Sequence, residues 1–379
     1  MLNKDVRPRL YFVYILNIVS CFAVTVLHTT LPVFSPKPTS IWVKMVALQS
    51  MFVFAVPVFF MISGMNLLGY RQRESTKQFM KKRLWKVGRA LVMASILCYS
   101  LFCLFPNSFY GANQYLGTGS ILDFFRRFLT NQINDVYWFL YGIIYLYVLT
   151  PILSLVVTNK RCTEYMLSLC AVISVGIPLL HRLGVPSEYT STMLGWPLFS
   201  SVSLLYFLAG YYLHVYWKPI KHQRLIAVGV YTASTIGMFL LGLWANGYKK
   251  PDGLSQTYDS YYVGTSSPLC VAQAFALFLL LQSCEDRLRT CNTTVVHGLQ
   301  KIAGASLGVY LFHVLFINWV GVSADSRFVE YITSWPFQYA VLVYLCTLVA
   351  VLLGKKILSS CSSIVKRVGN RRTRLSSRE

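Results

Sequence analysis

Long apolar runs recur along the whole chain and alternate with short polar segments. Most runs have roughly 18 to 25 residues, which is enough for a helix to cross the hydrocarbon core of a membrane. None alternates apolar and polar residues as the strands of a membrane barrel do. The pattern therefore predicts an all-α integral membrane protein with about ten transmembrane helices. We place these spans at 10–31, 47–69, 87–106, 136–157, 166–181, 197–216, 224–245, 267–283, 305–322 and 337–354.

The basic residues are concentrated in alternate segments between these spans. With the N-terminus inside, the inner segments hold 26 Lys and Arg residues and the outer segments hold eight. Because Lys and Arg favour cytoplasmic loops, the count predicts a multi-pass protein of the cell membrane with both termini in the cytoplasm. The net charge of +22 is thus a topology signal, and no nucleic-acid partner is expected.

Composition places the chain outside the range of ordinary soluble domains. It has 55% hydrophobic and 13% charged residues, whereas globular domains carry about 25% charged residues. We predict one polytopic membrane domain over 1–354 and a basic cytoplasmic tail over 355–379, disordered and attracted to anionic lipids. The ten cysteines lie in spans or inner segments, a distribution typical of reduced thiols.

Two outer segments differ from the rest of the chain. The first, 107–135, contains an amphipathic stretch at 121–129 that is expected to lie on the outer interface. The second, 246–266, is rich in Tyr and Gly and is expected to be irregular. Its tyrosines are candidates for stacking on sugar rings, although Tyr is also common at membrane interfaces for purely structural reasons.

Few polar side chains lie inside the spans, and none at a span centre is Asp or Glu. The absence of such carboxylates argues against proton pumps and many transporters, which need them. The polar residues that remain in the spans are therefore the candidates for chemistry. Histidine suits acid–base chemistry because its pKa lies near neutrality. From position alone, a catalytic His and a structural His bonded to a neighbouring helix are equally good interpretations. The candidates in the spans are Asn17, His28, Ser63, Gly64, Asn66, His214, His313 and Asn318.

The segment 70–89 is the densest basic cluster between spans. Its charge alone is explained by anchoring at the inner membrane surface. The same cluster would also suit the phosphates of an anionic cytoplasmic donor, because Lys and Arg fixed at a helix start can contact several phosphate oxygens. Both interpretations stay open at this point.

Five motifs in this order resemble the membrane acyltransferase 3 family of bacterial O-acyltransferases, and the resemblance covers nearly the whole chain. That family modifies surface polysaccharides, lipid-linked glycans and peptidoglycan. The first span is similar to the family's first helix, which ends in a histidine, and the second ends in a segment close to the family's FF-x-x-SG. The motifs are YILNIVSCFAVTVLHTT, VPVFFMISGMNLLGY, TKQFMKKRLWKVGRAL, VYWFLYGIIYLYVLTPIL and SLGVYLFHVLFI.

The resemblance implies a donor, an acceptor and a site. The donor would be cytoplasmic acetyl-CoA or another acyl-CoA, and the acceptor a glycan or a lipid-linked sugar; no metal is expected. His28 would be the general base or would carry the acyl group on its ring nitrogen. Supporting roles fall to Asn17, His313 and Trp138. Contacts with the donor fall to Arg83, Lys86, Arg89, Ser63 and Gly64.

Two residues depart from the family pattern. The family usually places an Arg eleven residues before the histidine of the first span, where this chain has Asn17. In the basic pair, Arg83 fits the first position, but the second is Lys86, which lacks the planar fork of Arg. Asn17 favours an alternative in which the chain is an inactive scaffold. A glycan or lipid flippase is a further alternative, because it would need a polar cavity but no base.

Overall fold

The fold is described by a computed structural model that covers residues 10–117, 119–191, 199, 201–250 and 253–376, with side chains up to Ser360. Within these residues every regular element is helical, as predicted. The helices are α1 Tyr11–Thr29, α2 Ser40–Phe52, α3 Ala55–Leu67, α4 Thr76–Leu104, α5 Ile121–Leu129, α6 Trp138–Val156, α7 Lys160–Ala171, α8 Ile177–Arg182, α9 Val202–Val215, α10 Gln223–Ala245, α11 Pro268–Gln282, α12 Glu285–Arg289, α13 Thr293–Ser323, α14 Ser326–Thr333 and α15 Pro336–Ser376.

Parts of five predicted segments lie outside the described residues. They are the N-terminal basic segment 1–9, residue 118 of the first outer segment, residues 197, 198 and 200 of the sixth span, residues 251 and 252 of the second outer segment, and the end of the tail at 377–379. The cytoplasmic placement of both termini remains a prediction that depends on the distribution of Lys and Arg.

Eight helices or joined pairs of helices in the described part of the chain are long and apolar enough to cross a membrane. Two of the ten predicted spans are shorter, because α9 has 14 residues and α11 has 15. At 1.5 Å per residue they extend about 21 to 23 Å, less than the roughly 30 Å hydrocarbon core. Nine of the 14 residues of α9 are buried, so this helix is surrounded by protein.

Helix α4 begins well before the predicted third span, which we placed at 87–106. A capping box begins the helix: the Ser75 side chain accepts from the Gln78 N–H, and the Gln78 side chain accepts from the Ser75 N–H. The Lys and Arg residues that follow are good helix formers, so the helix includes most of the basic cluster. Residues 76–89 are therefore helical rather than a loop, and Arg83, Lys86 and Arg89 form the basic face of α4.

Helices α3 and α9 approach closely through paired glycines. A Cβ atom on Gly64 would lie 1.7 Å from the Phe207 carbonyl oxygen, and one on Gly210 would lie 2.0 Å from the Met61 oxygen. Small residues allow such close approach between membrane helices. These contacts fix α3 against α9, and Ser63, the neighbour of Gly64, is partly buried.

The last helix differs from the disordered tail that we predicted from Lys355 onward. Helix α15 runs without a break from Pro336 to Ser376. No proline lies within the helix after its first residue, and its two glycines, Gly354 and Gly369, do not interrupt it. Binding of the tail to anionic lipid remains a prediction.

The amphipathic stretch 121–129 forms helix α5, as its pattern indicates. Ile121, Leu122 and Leu129 are each more than three-quarters exposed, so this apolar face has no protein cover. The opposite face carries Asp123, whose carboxylate accepts from the Tyr99 hydroxyl at 2.9 Å and from Arg127 Nε at 2.8 Å. An apolar face turned outward and a polar face tied to α4 fit a helix lying on a membrane surface.

Candidate functional site

Two histidines from distant parts of the chain meet inside the bundle. His28, one residue before the end of α1, and His313, two-thirds along α13, have Nδ1 and Nε2 respectively 3.1 Å apart. Their ring centroids are 4.9 Å apart. His313 is fully buried and His28 is partly buried. The pair joins the two histidines that the sequence analysis singled out, although it did not predict that they touch.

Hydrogen bonds to backbone carbonyls assign the proton on each ring. His313 Nδ1 lies 2.8 Å from the Tyr310 carbonyl oxygen, so this nitrogen donates and Nε2 of the neutral ring is an acceptor. His28 Nδ1 lies 2.9 Å from the Val24 carbonyl oxygen and therefore also donates. Its N–H is shared between Val24 and His313 Nε2. The second nitrogen of His28, Nε2, is then left with a lone pair.

The end of α1 is held in place by its neighbour α2. Gln49 donates through Nε2 to the Leu27 carbonyl oxygen at 2.9 Å and to the Thr30 hydroxyl at 2.8 Å. The hydroxyl of Thr30 in turn donates to the Val26 carbonyl oxygen at 2.7 Å. These bonds satisfy carbonyl groups at the helix end and fix the turn that carries His28.

The turn of α13 that carries His313 is clamped to the start of α6. The Tyr310 hydroxyl donates to the Val136 carbonyl oxygen, and the Tyr137 hydroxyl donates to the Leu311 carbonyl oxygen at 3.1 Å. Cys98 Sγ lies 3.1 Å from the same Tyr137 hydroxyl. Both tyrosines are buried, so these bonds form where water is excluded. The clamp fixes His313 relative to Trp138, the next residue along.

Trp138 borders a cavity of about 290 Å³ between α3, α6, α9 and the segment before α11. The tryptophan is half exposed, and Phe60 contributes to the opposite wall. A series of ring contacts leads from this cavity to the histidines: Phe60 to Phe139 at 4.9 Å, and Phe139 to Tyr310 at 5.4 Å. The supporting role of Trp138 remains a prediction.

Asn17 is not brought to the histidine pair. Its amide donates to the Val13 carbonyl oxygen of the same helix at 2.9 Å. Eleven residues separate it from His28, or about 16 Å along the helix. A supporting role for Asn17 is therefore a separate prediction from that of the pair.

The basic residues of α4 have few fixed contacts. Lys86 and Arg89 are exposed. Arg83 is partly buried, and its Nε is enclosed without a hydrogen-bond partner among the described residues. Lys86 also lies near enough to Lys355 of α15 for the two like charges to interact. An unpaired buried donor and adjacent like charges are both relieved by a bound anion.

Two residues of α3, Ser63 and Gly64, were also predicted to contact the donor. Gly64 packs against the backbone at Phe207, so its missing side chain serves the contact between helices. The predicted contact of Gly64 with a donor remains a prediction. Ser63 is partly buried in the same helix, and its contact with a donor remains a prediction.

Three residues of the site were missed from the sequence: Gln49, Tyr137 and Tyr310. An amide inside an apolar span was the available signal for Gln49, because such groups need partners. The two tyrosines gave no comparable signal, since Tyr is frequent throughout this chain. Within the described residues, no three His, Cys, Asp or Glu side chains come together as a metal site.

Comparison with known proteins gives one match. A family model described as an acyltransferase domain matches residues 10–355. No curated protein and no solved structure matches the chain significantly. The matched range contains both histidines, the clamp and the basic face of α4, and it ends at Lys355.

Proposed function

Because the chain belongs to the acyltransferase family whose model spans residues 10–355, we propose that it is a membrane O-acyltransferase. The donor is acetyl-CoA, and the acceptor is a hydroxyl of a cell-surface glycan or a lipid-linked sugar. The observation that carries the proposal is the histidine pair, in which His313 and Val24 engage one nitrogen of His28 and leave the other free.

His28 acts as the general base. Its Nε2 takes the proton of the acceptor hydroxyl while the acceptor oxygen attacks the carbonyl carbon of the thioester. A C–O bond forms, the C–S bond breaks, and the sulfur leaves as a thiolate that recovers the proton from His28. In the alternative route the same nitrogen is the nucleophile, and the acetyl group is carried on the ring before it reaches the acceptor.

His313 positions His28 rather than touching the substrate. Its Nε2 accepts from His28 Nδ1, which keeps His28 in the tautomer with a basic Nε2. When His28 gains a proton, the same hydrogen bond stabilises the imidazolium. This is the role that the third group has in nucleophile–base–orienter sites.

The basic face of α4 holds the donor. Cys98 of α4 contacts the Tyr137 hydroxyl, which bonds to α13 two residues before His313. Arg83 lies 15 residues before Cys98, or about 22 Å along α4 from the level of the histidine pair. The phosphates of CoA therefore bind the cations, while the thin pantetheine arm extends through the bundle toward His28.

Radiolabelled acetyl transfer tests the proposal. Membranes that contain the protein receive labelled acetyl-CoA, and control membranes receive the same label as free acetate. We expect label in the glycan or lipid-linked sugar fraction only with acetyl-CoA, and excess unlabelled CoA should compete. Absence of transfer with acetyl-CoA and with longer acyl-CoA donors would contradict the proposal and favour a flippase or an inactive scaffold.

A further inference from the structure

A second cavity, of about 710 Å³, lies at the end of the bundle where α1 finishes. One wall is formed by Ser35, Pro36 and Pro38, which follow the end of α1 by a few residues. The other wall comes from 247–250 and 253–256, in the segment between α10 and α11. The cavity begins only seven residues after His28, so it lies on the same side of the bundle as the proposed base.

Both walls are held by specific contacts. Trp42 Nε1 donates to the Val33 carbonyl oxygen at 2.9 Å and fixes the segment before residue 35. On the other wall, the Asn246 side chain pairs with both backbone groups of Asp259, accepting from the N–H at 2.7 Å and donating to the carbonyl at 3.1 Å. Gly247 has φ +75°, and a Cβ there would lie 2.4 Å from the Gly253 oxygen. The described parts of the predicted irregular segment are therefore held together by specific contacts.

The described lining of this cavity is positively charged. Lys249 and Lys250 are the charged residues of its described lining, and with Asp252, which lies outside the described residues, the loop sequence 247–256 still has a net positive charge. The nearby carboxylate of Asp259 pairs with Arg182 at 2.5 Å, so it does not neutralise the two lysines. Lys250 Nζ lies 4.5 Å from the Trp244 ring centroid, an interaction that holds a cation without cancelling its charge.

The lining also offers an aromatic surface. Tyr248 lines the cavity and contacts Trp42 with the ring centroids 6.0 Å apart. Behind them, Tyr258 packs against Phe34 at 5.4 Å. An aromatic ring supplies a large rigid contact surface, which suits the apolar face of a sugar. The volume of the cavity lies within the range of ordinary small-molecule pockets, about 300–1,000 Å³.

We infer that this cavity, lined by Tyr248, Lys249 and Lys250, binds the acceptor through an anionic group on a sugar, either a carboxylate or a phosphate. The inference rests on the proposed function, because a glycan acceptor comes from that proposal. Lysine suits the task because its ammonium group is a mobile point charge that accepts anions of different geometry. The site would select charged sugar segments before their hydroxyls reach His28.

Equilibrium binding to the purified full-length protein tests the inference without any acyl transfer. The probes are a hexagalacturonate, the same hexasaccharide after carboxyl reduction, and glucose 1-phosphate. They are measured on the wild type, on Lys249→Gln/Lys250→Gln, and on Lys218→Gln/Lys221→Gln as the matched control. The control removes the same charge from two exposed lysines between α9 and α10, away from the cavity.

We expect at least one anionic probe to bind the wild type about tenfold more tightly than the reduced hexasaccharide. That preference should disappear in Lys249→Gln/Lys250→Gln and persist in the control. A preference for the uronate identifies a carboxylate acceptor, and one for the sugar phosphate identifies a phosphate. Equal binding of all probes, or a preference that survives the Lys249 and Lys250 changes, would overturn the inference. Charge-selective binding without acetyl transfer would instead leave the inference standing and contradict the proposed function.

Discussion

The histidine pair and the basic face of α4 are both polar, but they are built in different ways. His313 is fully buried, and every described hydrogen bond of the pair ends on a backbone carbonyl or on the partner ring. Lys86 and Arg89 are exposed, and Arg83 keeps a buried Nε without a partner. One region has its geometry fixed before any ligand arrives, whereas the other has charge without fixed geometry.

This difference corresponds to two tasks. Proton transfer needs a base held within hydrogen-bond distance and in one tautomer, so rigid support is useful. Capture of a flexible polyanionic donor depends on charge and tolerates movement of long side chains. Changes in the pair should therefore alter kcat, and changes on the basic face should alter KM for the donor.

The largest effect is expected for His28→Ala. Loss of a general base typically lowers a rate by about 10²- to 10⁴-fold, and KM for acetyl-CoA should hardly change because the cations of α4 are intact. The measurement is kcat for acetyl transfer, with His297→Ala as control, since His297 is exposed near the start of α13. A His28→Ala protein that keeps wild-type kcat would remove the distinction between the two regions.

A smaller effect is expected for His313→Leu. His28 keeps its bond to Val24 but loses the second acceptor, and a lost buried hydrogen bond of about 1–3 kcal/mol corresponds to about 5- to 150-fold in rate. His313→Gln restores an acceptor oxygen near the position of Nε2 and should recover part of kcat. If Leu and Gln at this position gave the same kcat, His313 would have only a packing role.

Arg83→Gln should move KM instead of kcat. Removing one charge-assisted hydrogen bond of about 1.5 kcal/mol should raise KM for acetyl-CoA about tenfold. The difference from wild type should shrink at high salt, because partly exposed charges are screened. Arg287→Gln, which removes an exposed Arg from α12, is the control. A fall in kcat at unchanged KM would mean that Arg83 acts in the transfer step and does not bind the donor.

The smallest effect, on stability alone, is expected for Asp123→Asn. Burial disfavours the Asp123 carboxylate, but hydrogen bonds from Tyr99 and Arg127 outweigh it and lower the pKa of Asp123. The resulting stabilisation, roughly 1 kcal/mol, is complete above the ordinary pKa of about 3.9 and is lost as the pH falls through the lowered pKa.

Thermal unfolding of the two proteins in detergent at pH 7 and at acid pH checks this prediction. The wild type should be the more stable at pH 7, and the gap should close at acid pH. Kinetic constants of Asp123→Asn should match those of the wild type. A loss of kcat would mean that rigid polar networks matter for activity even outside the histidine pair.

The sequence predicted the helical fold because apolar length is a local signal, and it singled out His28 and His313 because isolated polar residues in a span are local signals too, although their roles stay predictions. It could not predict that His28 and His313 touch, since that contact depends on how α1 packs on α13, 285 residues apart in sequence. The early start of α4 was missed because the third span was placed by its apolar run, which begins after the capping box at Ser75 and the basic residues that follow it. Gly64 was assigned to a ligand, since nothing local reveals that its neighbour is the Phe207 backbone.

A double-mutant cycle on kcat tests most directly whether His28 and His313 act as one unit. The four proteins are the wild type, His28→Ala, His313→Leu and the double variant, all assayed with saturating labelled acetyl-CoA. If His313 works only through His28, the double variant should be no slower than His28→Ala. If instead the two losses multiply, the histidines act independently, and the account of His313 as the residue that positions the base is wrong.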